Sequence, residues 1–358
     1  MRDTAVAADV KSHLRLLRIA SFASSLSTVL FVELASTLPL FDSSPRVVLP
    51  LDATRSLLKS LASPLLRWDA FHFAHIARSG YVYEHEWAFF PGTPLVMKAI
   101  TYLFRLVGMY RIPEEGYQSW ESVLLGGSLA VLLLSSTTTL YHLTLHHTSS
   151  PSIALLASLL SLLPSSPITL HVAAYTEPFF TYLSYKGMLF CARSQWFHAA
   201  CCFAVAAFPP SIYTYVQAKY WNVGFLHYWS PQQLPNFLIS APVLVLLILS
   251  SAHYIKHALL PHLLAVISSA PQTPTTRSPF LSESLAPHAI HALILSLLLL
   301  LASHTQIVLR LAASMPFTYW AAARLVIERP TWGARWTTWS VVWGAVAIVL
   351  WAAFLPPA

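Results

Sequence analysis

The run Arg67-Trp68-Asp69-Ala70-Phe71-His72-Phe73-Ala74-His75 sets an acid and two histidines among several flat rings. In a helical setting Asp69 and His72 share a face, with His75 three residues further on. Asp69 could act as a general base, with His72 orienting it or the substrate. The structural alternative is an acid at a helix start, or an ion pair with Arg67. His72 and His75 could ligate a metal, but no third protein ligand stands at a defined spacing, so none is assigned. Further along, Glu84 and Glu86 could position a sugar hydroxyl or simply be solvated. Trp87, Phe89 and Phe90 suit an interfacial belt or a stacking platform for a sugar.

Three other groups mix polar tips with apolar surroundings. Tyr175-Thr176-Glu177-Pro178 puts an acid where a span begins, and helix capping accounts for it. The stretch Tyr215–Trp229 carries Gln217, Lys219, Trp221, Asn222 and His227 among aromatic rings just before a span. It could anchor the chain at the interface or hold a lipid or sugar headgroup. His304, Gln306 and Arg310 are predicted on one Leu-rich helix, with Gln306 and Arg310 on a shared face. A guanidinium there suits a phosphate; alternatively it snorkels to the interface.

The elements that must position these groups are apolar. The chain has 358 residues, 56% hydrophobic, and only 10% are Asp, Glu, Lys or Arg. Soluble domains carry about 25% charged residues, so an integral membrane protein is expected. Ser122–Thr176, Tyr220–Ile255, Ser284–Leu309 and Trp336–Ala358 contain no charged residue. Long Leu/Ala/Ser runs do not fit the alternation of a membrane β-barrel. The predicted fold is all-α, a polytopic transmembrane bundle forming one domain over residues 1–358. Helices are predicted near 13–40, 92–110, 121–145, 151–173, 177–208, 235–258, 288–312 and 336–356. The 177–208 block is too long for one ordinary span and too short for two. Segment 41–90 is predicted as a polar loop, and Pro271–Pro287 as a Pro/Ser/Thr-rich surface loop.

Lys11, Arg15 and Arg18 precede the first apolar run, which suggests a retained helix with a cytosolic N-terminus rather than a cleaved signal. The 41–90 loop then faces the far side. Arg310, Arg324, Arg329 and Arg335 could mark a cytosolic loop or bind a phosphate on that far side. The net charge of +7 does not imply nucleic acid, because the basic residues are scattered at span edges. Cys191, Cys201 and Cys202 have neither zinc nor redox spacing and are read as small core residues. There is no glycosylation sequon, internal repeat, Walker loop or dinucleotide fingerprint.

Three ordered blocks carry a family resemblance. Trp68-Asp69-Ala70-Phe71-His72-Phe73, Ile76-Ala77, Gly80-Tyr81, Glu84 and Ala88-Phe89-Phe90-Pro91 form the first. Val216-Gln217, Tyr220-Trp221-Asn222-Val223-Gly224-Phe225-Leu226, Tyr228-Trp229 and Pro235-Asn236-Phe237 form the second. His304, Gln306-Ile307, Arg310, Pro316 and Tyr319-Trp320 form the third. Together they resemble the second mannosyltransferase family of glycosylphosphatidylinositol (GPI) anchor synthesis. The resemblance implies a multi-pass endoplasmic-reticulum enzyme of the GT-C type. It would move mannose from dolichyl-phosphate mannose, α-1,6-linked and with inversion, onto the GPI precursor, with no cofactor. Asp69 would be the general base and Arg310 would stabilise the leaving dolichyl phosphate. Arg67, Trp68, His72, Glu84, Trp221, Asn222, His304 and Gln306 would contact substrate. A small accessory membrane subunit is also implied.

One departure from the family stands out. The family pattern continues past Arg193 through an Arg-Ser-Asn-Gly motif, a further hydrophobic stretch and a lumenal section with cysteines. Here Trp196–Phe208 passes almost directly to Pro209-Pro210-Ser211-Ile212-Tyr213, an internal deletion near 193–210. Loss of an odd number of spans would invert everything downstream. The alternatives are a polytopic transporter or flippase using Asp69, Glu177 and Arg310 as pathway charges, and an inactive truncated paralogue.

Overall fold

The structure, a computed structural model, describes residues 2–50, 57–108, 118–206, 218–268 and 278–355. All regular structure among them is helical, as expected where a bilayer leaves backbone groups only intrahelical partners. The longer helices are α1 Arg2–Ala35, α2 Ala70–Ser79, α3 Gly92–Leu106, α4 Trp120–Leu132, α5 Ser136–Thr148 and α6 Pro151–Leu160. Then come α7 Thr176–Ala192, α8 Trp196–Ala206, α9 Leu234–Tyr254, α10 Ala286–Leu301, α11 Pro316–Glu328 and α12 Pro330–Ala352. Four stretches among the described residues are long and apolar enough to cross a membrane: Ala8–Ala35, Trp120–Thr148, Pro231–Ile267 and Glu283–Leu301.

Several predicted spans are interrupted. The 121–145 span breaks after Leu132, where the Ser/Thr run turns its hydroxyls on the backbone. Thr138 and Thr139 both donate to the Ser135 carbonyl. The 151–173 span splits into α6 and the short helix Pro167–His171, because Pro164 and Pro167 cannot continue the ladder. The 177–208 block is two helices, turned at Ser194 (φ +59°). A Cβ on Gly187 would lie 2.6 Å from the Phe203 ring, so glycine lets α7 and α8 close together. The 288–312 helix stops at Leu301, leaving His304–Ser314 in short turns. Helix α11 lies outside every predicted span. The described residues of the 41–90 segment are largely in short helices, Ser44–Val48, Leu57–Ala62, Ser63–Leu65, Glu84–Ala88 and α2, rather than an irregular loop.

Two further expectations are corrected. Of the 271–287 loop, 271–277 lie outside the described residues; the remainder is short turns that bury Phe280 and Leu285, and Pro287 opens α10. The cysteines are not core residues: Cys201 is exposed, and Cys191 and Cys202 are only partly covered.

The bundle has two distinct ends. At one, α5, α10 and α11 meet: Trp320 Nε1 donates to Thr144 Oγ1 at 2.8 Å, and His147 and His288 pair through Nε2 at 3.2 Å. Ser278 and Glu328 join there at 2.7 Å. The other end carries the 41–90 segment, tied down by the C-terminus of α12. Phe41 N donates to the Ala353 carbonyl, Trp351 Nε1 to that of Pro64, and Arg67 Nη2 to that of Ala352. Phe73, Phe89, Met97, Tyr175 and Trp351 fill the core beneath it. Of the four arginines, Arg310 lies at this second end, whereas Arg324 and Arg329 sit near the far end of α11 and Arg335 lies in the first turns of α12.

Candidate active site

The site begins at a sharp bend. Trp68 adopts φ +50°, a conformation that bulky residues rarely take. The bend delivers Asp69 to the N-cap position of α2, yet its side chain caps nothing. Its Oδ2 instead accepts from Arg310 Nη1 at 3.3 Å, across 241 residues of sequence. The same nitrogen lies 3.2 Å from Glu177 Oε1, in the first turn of α7. Tyr175 braces the group from below: Asp69 N donates to its hydroxyl at 3.1 Å, and that hydroxyl donates to the Arg67 carbonyl at 3.2 Å. The Arg310 guanidinium lies 5.7 Å from the centre of the Tyr175 ring.

Exposure grades across the cluster. The Asp69 side chain is 40% exposed, Arg310 21% and Glu177 13%. Burial alone would lower the Arg310 pKa, but Glu177 and then Asp69 hold it above the ordinary arginine range. Asp69 therefore presents its side chain to solvent beside a permanently charged cation.

Two outer segments close around this centre. His304 Nε2 meets the Trp221 carbonyl at 2.9 Å, and the His304 ring stacks on Tyr228. Tyr228 donates to Gln306 Oε1 at 2.6 Å and accepts from Asn236 Nδ2 at 2.7 Å. The second and third sequence blocks are thus laced together. The first block joins them through Glu84, which accepts from Lys219 at 2.8 Å and Tyr220 at 3.0 Å. His72 stacks on Phe89 with ring centres 4.4 Å apart, and Phe89 meets Trp221 edge-on at 6.1 Å. Burial, then the charge of His85, pushes the His72 imidazole below its ordinary range.

Some residues do other work. Arg67 makes no ion pair with Asp69; it is 2% exposed and donates to the carbonyls of Ser63, Leu66 and Ala352. Trp68 packs against Phe354 at 4.9 Å. Asn222 is exposed at φ +53° and turns the chain out of a helical segment. His75 and the buried Glu86 pair at 2.5 Å, and Glu86 also accepts the backbone N–H groups of Val82 and Tyr83. Burial raises the Glu86 carboxyl, but those N–H donors and His75 hold it below its ordinary value. Among the described residues no three His, Cys, Asp or Glu side chains converge as a metal group. Tyr215–Gln217 lie outside the described residues.

The sequence offers Glu177 as a helix cap or, in the transporter alternative, as a pathway charge with Asp69 and Arg310, and it does not single out Tyr175. The one sequence signal for Glu177 is its place as the first charge after the long neutral run from Ser122. Apart from the cluster, a cavity of about 580 Å³ runs between α1 and the interrupted helices; Arg18, Ser135, Leu26, Leu133, Tyr185 and Ala313 are among its walls, and none of Asp69, Tyr175, Glu177 and Arg310 lines it.

Chemically, the exposed acid can take a proton, the guanidinium can receive an anionic oxygen, and the rings offer flat faces to a sugar. The charges meet at one point, Asp69 and Glu177 at helix starts and Arg310 in the short turns after α10, rather than along a path through the bundle. Fold and site together define a polytopic membrane enzyme. The chain belongs to the Mannosyltransferase (PIG-V) family, whose profile matches residues 14–209 and 201–358, and is therefore a glycosyltransferase. It is 32% identical to GPI mannosyltransferase 2 of Cryptococcus neoformans var. neoformans serotype D (strain JEC21), over 97% of this chain and 99% of that protein. The Gibberella zeae protein of the same name is 28% identical over 98% and 99%. GPI alpha-1,6-mannosyltransferase 2 of Homo sapiens is 27% identical over 80% and 78%. No solved structure matches the chain. The Cryptococcus alignment runs over 448 positions, so that relative carries segments that this 358-residue chain lacks.

Proposed function

We propose that this protein transfers mannose from dolichyl-phosphate mannose, in α-1,6 linkage, to the first mannose of a GPI precursor at the lumenal face of the endoplasmic reticulum. The acceptor hydroxyl gives its proton to Asp69 as its oxygen attacks C1 of the donor mannose. The bond from C1 to the phosphate oxygen breaks, and dolichyl phosphate leaves with the electron pair, received by Arg310. One displacement inverts the β-linked donor to an α-linked product. The donor and acceptor both arrive from the bilayer, and no cofactor is invoked.

The observation that carries this reading is the contact of the exposed Asp69 with Arg310, in a chain whose relatives are named for α-1,6-mannose transfer. Assembly of all three blocks around one centre also favours an active enzyme over an inactive paralogue. The test is transfer of labelled mannose from dolichyl-phosphate mannose to a singly mannosylated GPI precursor by membranes containing the full chain. A labelled product that an α-1,6-specific mannosidase opens supports the proposal. No transfer, or a product with another linkage, contradicts it.

A further inference from the structure

One nitrogen, Arg310 Nη1, serves two carboxylates, Asp69 Oδ2 at 3.3 Å and Glu177 Oε1 at 3.2 Å. The two acids are not equivalent. Asp69 opens outward from α2 with its side chain 40% exposed. Glu177 is 13% exposed, and it follows the buried Tyr175. The exposed carboxylate can meet an acceptor hydroxyl; the covered one cannot.

The reaction makes opposite demands on Arg310. Asp69 must loosen its hold on the guanidinium to take a proton. Arg310 must present free N–H groups to the phosphate that leaves. One rotation of the guanidinium away from Asp69 meets both demands, provided something keeps it in place during the turn. We propose that Glu177 is a positioning residue, the fixed anchor on which Arg310 turns from Asp69 toward the phosphate of the lipid-linked donor. The Tyr175 ring, 5.7 Å from the guanidinium, lies beside that movement. Arrival of the donor then frees Asp69 for the acceptor, so the base becomes available only when a donor is bound. This inference rests on the mannosyltransferase reading above.

The test compares wild-type, Glu177→Gln and Glu177→Asp full-length protein at matched expression, in two arms. The first arm is affinity for dolichyl phosphate in detergent. The second is the rate of mannose transfer with donor and acceptor varied separately. Displacing a positioned group costs about 10²-fold in rate, so Glu177→Gln is expected to lower kcat by about that factor. It is also expected to weaken dolichyl phosphate binding and raise the donor KM while leaving the acceptor KM unchanged. Glu177→Asp, which keeps the charge, should recover part of both losses. Unchanged rate and unchanged dolichyl phosphate affinity in Glu177→Gln overturn the proposal. So does an equal rise in both KM values with no recovery in Glu177→Asp, the pattern of a purely structural residue. If Glu177→Gln fails to accumulate, Glu177→Asp alone decides: a lower kcat with a raised donor KM supports the anchor, and wild-type values overturn it. Wild-type protein that binds dolichyl phosphate but transfers no mannose contradicts the mannosyltransferase reading instead, and the anchor is then judged by the binding arm. Wild-type protein that binds no dolichyl phosphate overturns both.

Discussion

Asp69 sits where an acid usually caps a helix, and its carboxylate goes elsewhere. The residues around Asp69 left it open between a general base and a helix cap, and it was the family resemblance that pointed to the base. The sequence could not show the partner, because Arg310 is 241 residues away and its side chain arrives through turns with no periodic pattern. Glu177 reads locally as a first-turn cap, and the transporter alternative grouped it with Asp69 and Arg310 without a contact; only the fold brings it to Arg310. Replacing Asp69 with Asn should lower transfer by about 10²- to 10⁴-fold, the usual weight of a general base, at unchanged protein level. Arg310→Ala should cost about 10²- to 10³-fold in kcat by removing a charge-stabilising donor, with Arg310→Lys retaining more activity. His72 gives a pH test. Its folded pKa lies below the ordinary 6.5, so the stability it contributes is present above that pH and is lost as pH falls through the folded value. Acidification below 6.5 should therefore lower the melting temperature of the wild type more than that of His72→Gln.

At the scale of elements, the apolar runs announced most helices, and small residues and turns decided how they sit. Three predicted spans proved to be broken or shorter, because serine, threonine and proline within a hydrophobic run still compete for the backbone, and the 177–208 block, too long for one span and too short for two, is two helices. Helix α11 was missed because Arg324, Glu328 and Arg329 made its sequence look like a connector. Close packing there and elsewhere is testable. Gly127 on α4 faces Ala174 and Met97, and an added Cβ would come within 2.7 Å of Met97 Cγ. Gly127→Val should destabilise the protein by about 1–3 kcal/mol through overpacking and shift the segment that carries Tyr175, read as a lower melting temperature and a lower kcat. At the opposite end, Trp320→Phe removes the hydrogen bond to Thr144. It should cost about 1 kcal/mol of stability and leave kcat unchanged.

Across the whole molecule, the departure from the family near residue 200 matters most for topology. Glu177 begins α7 at the site, and by Lys219 the chain is again beside Glu84. The section between them therefore returns the chain to the same end, and the third block faces the first. The family match divides at this place, with its two parts meeting at residues 201–209. Since the chain has no natural sequon, glycosylation can report the topology. A sequon-bearing insert after Glu84 should be glycosylated, and one after Ser194 should not; the reverse would invert the orientation assigned here. From sequence, Lys11, Arg15 and Arg18 suggest a cytosolic N-terminus and put 41–90 on the far side; the side of Arg310, Arg324, Arg329 and Arg335 stayed open. The most direct measurement is expression of this chain in cells lacking the second GPI mannosyltransferase, scored by surface GPI-anchored protein. The account expects rescue by the wild type and none by Asp69→Asn at equal protein level. No rescue by stably expressed wild type, or full rescue by Asp69→Asn, would contradict it.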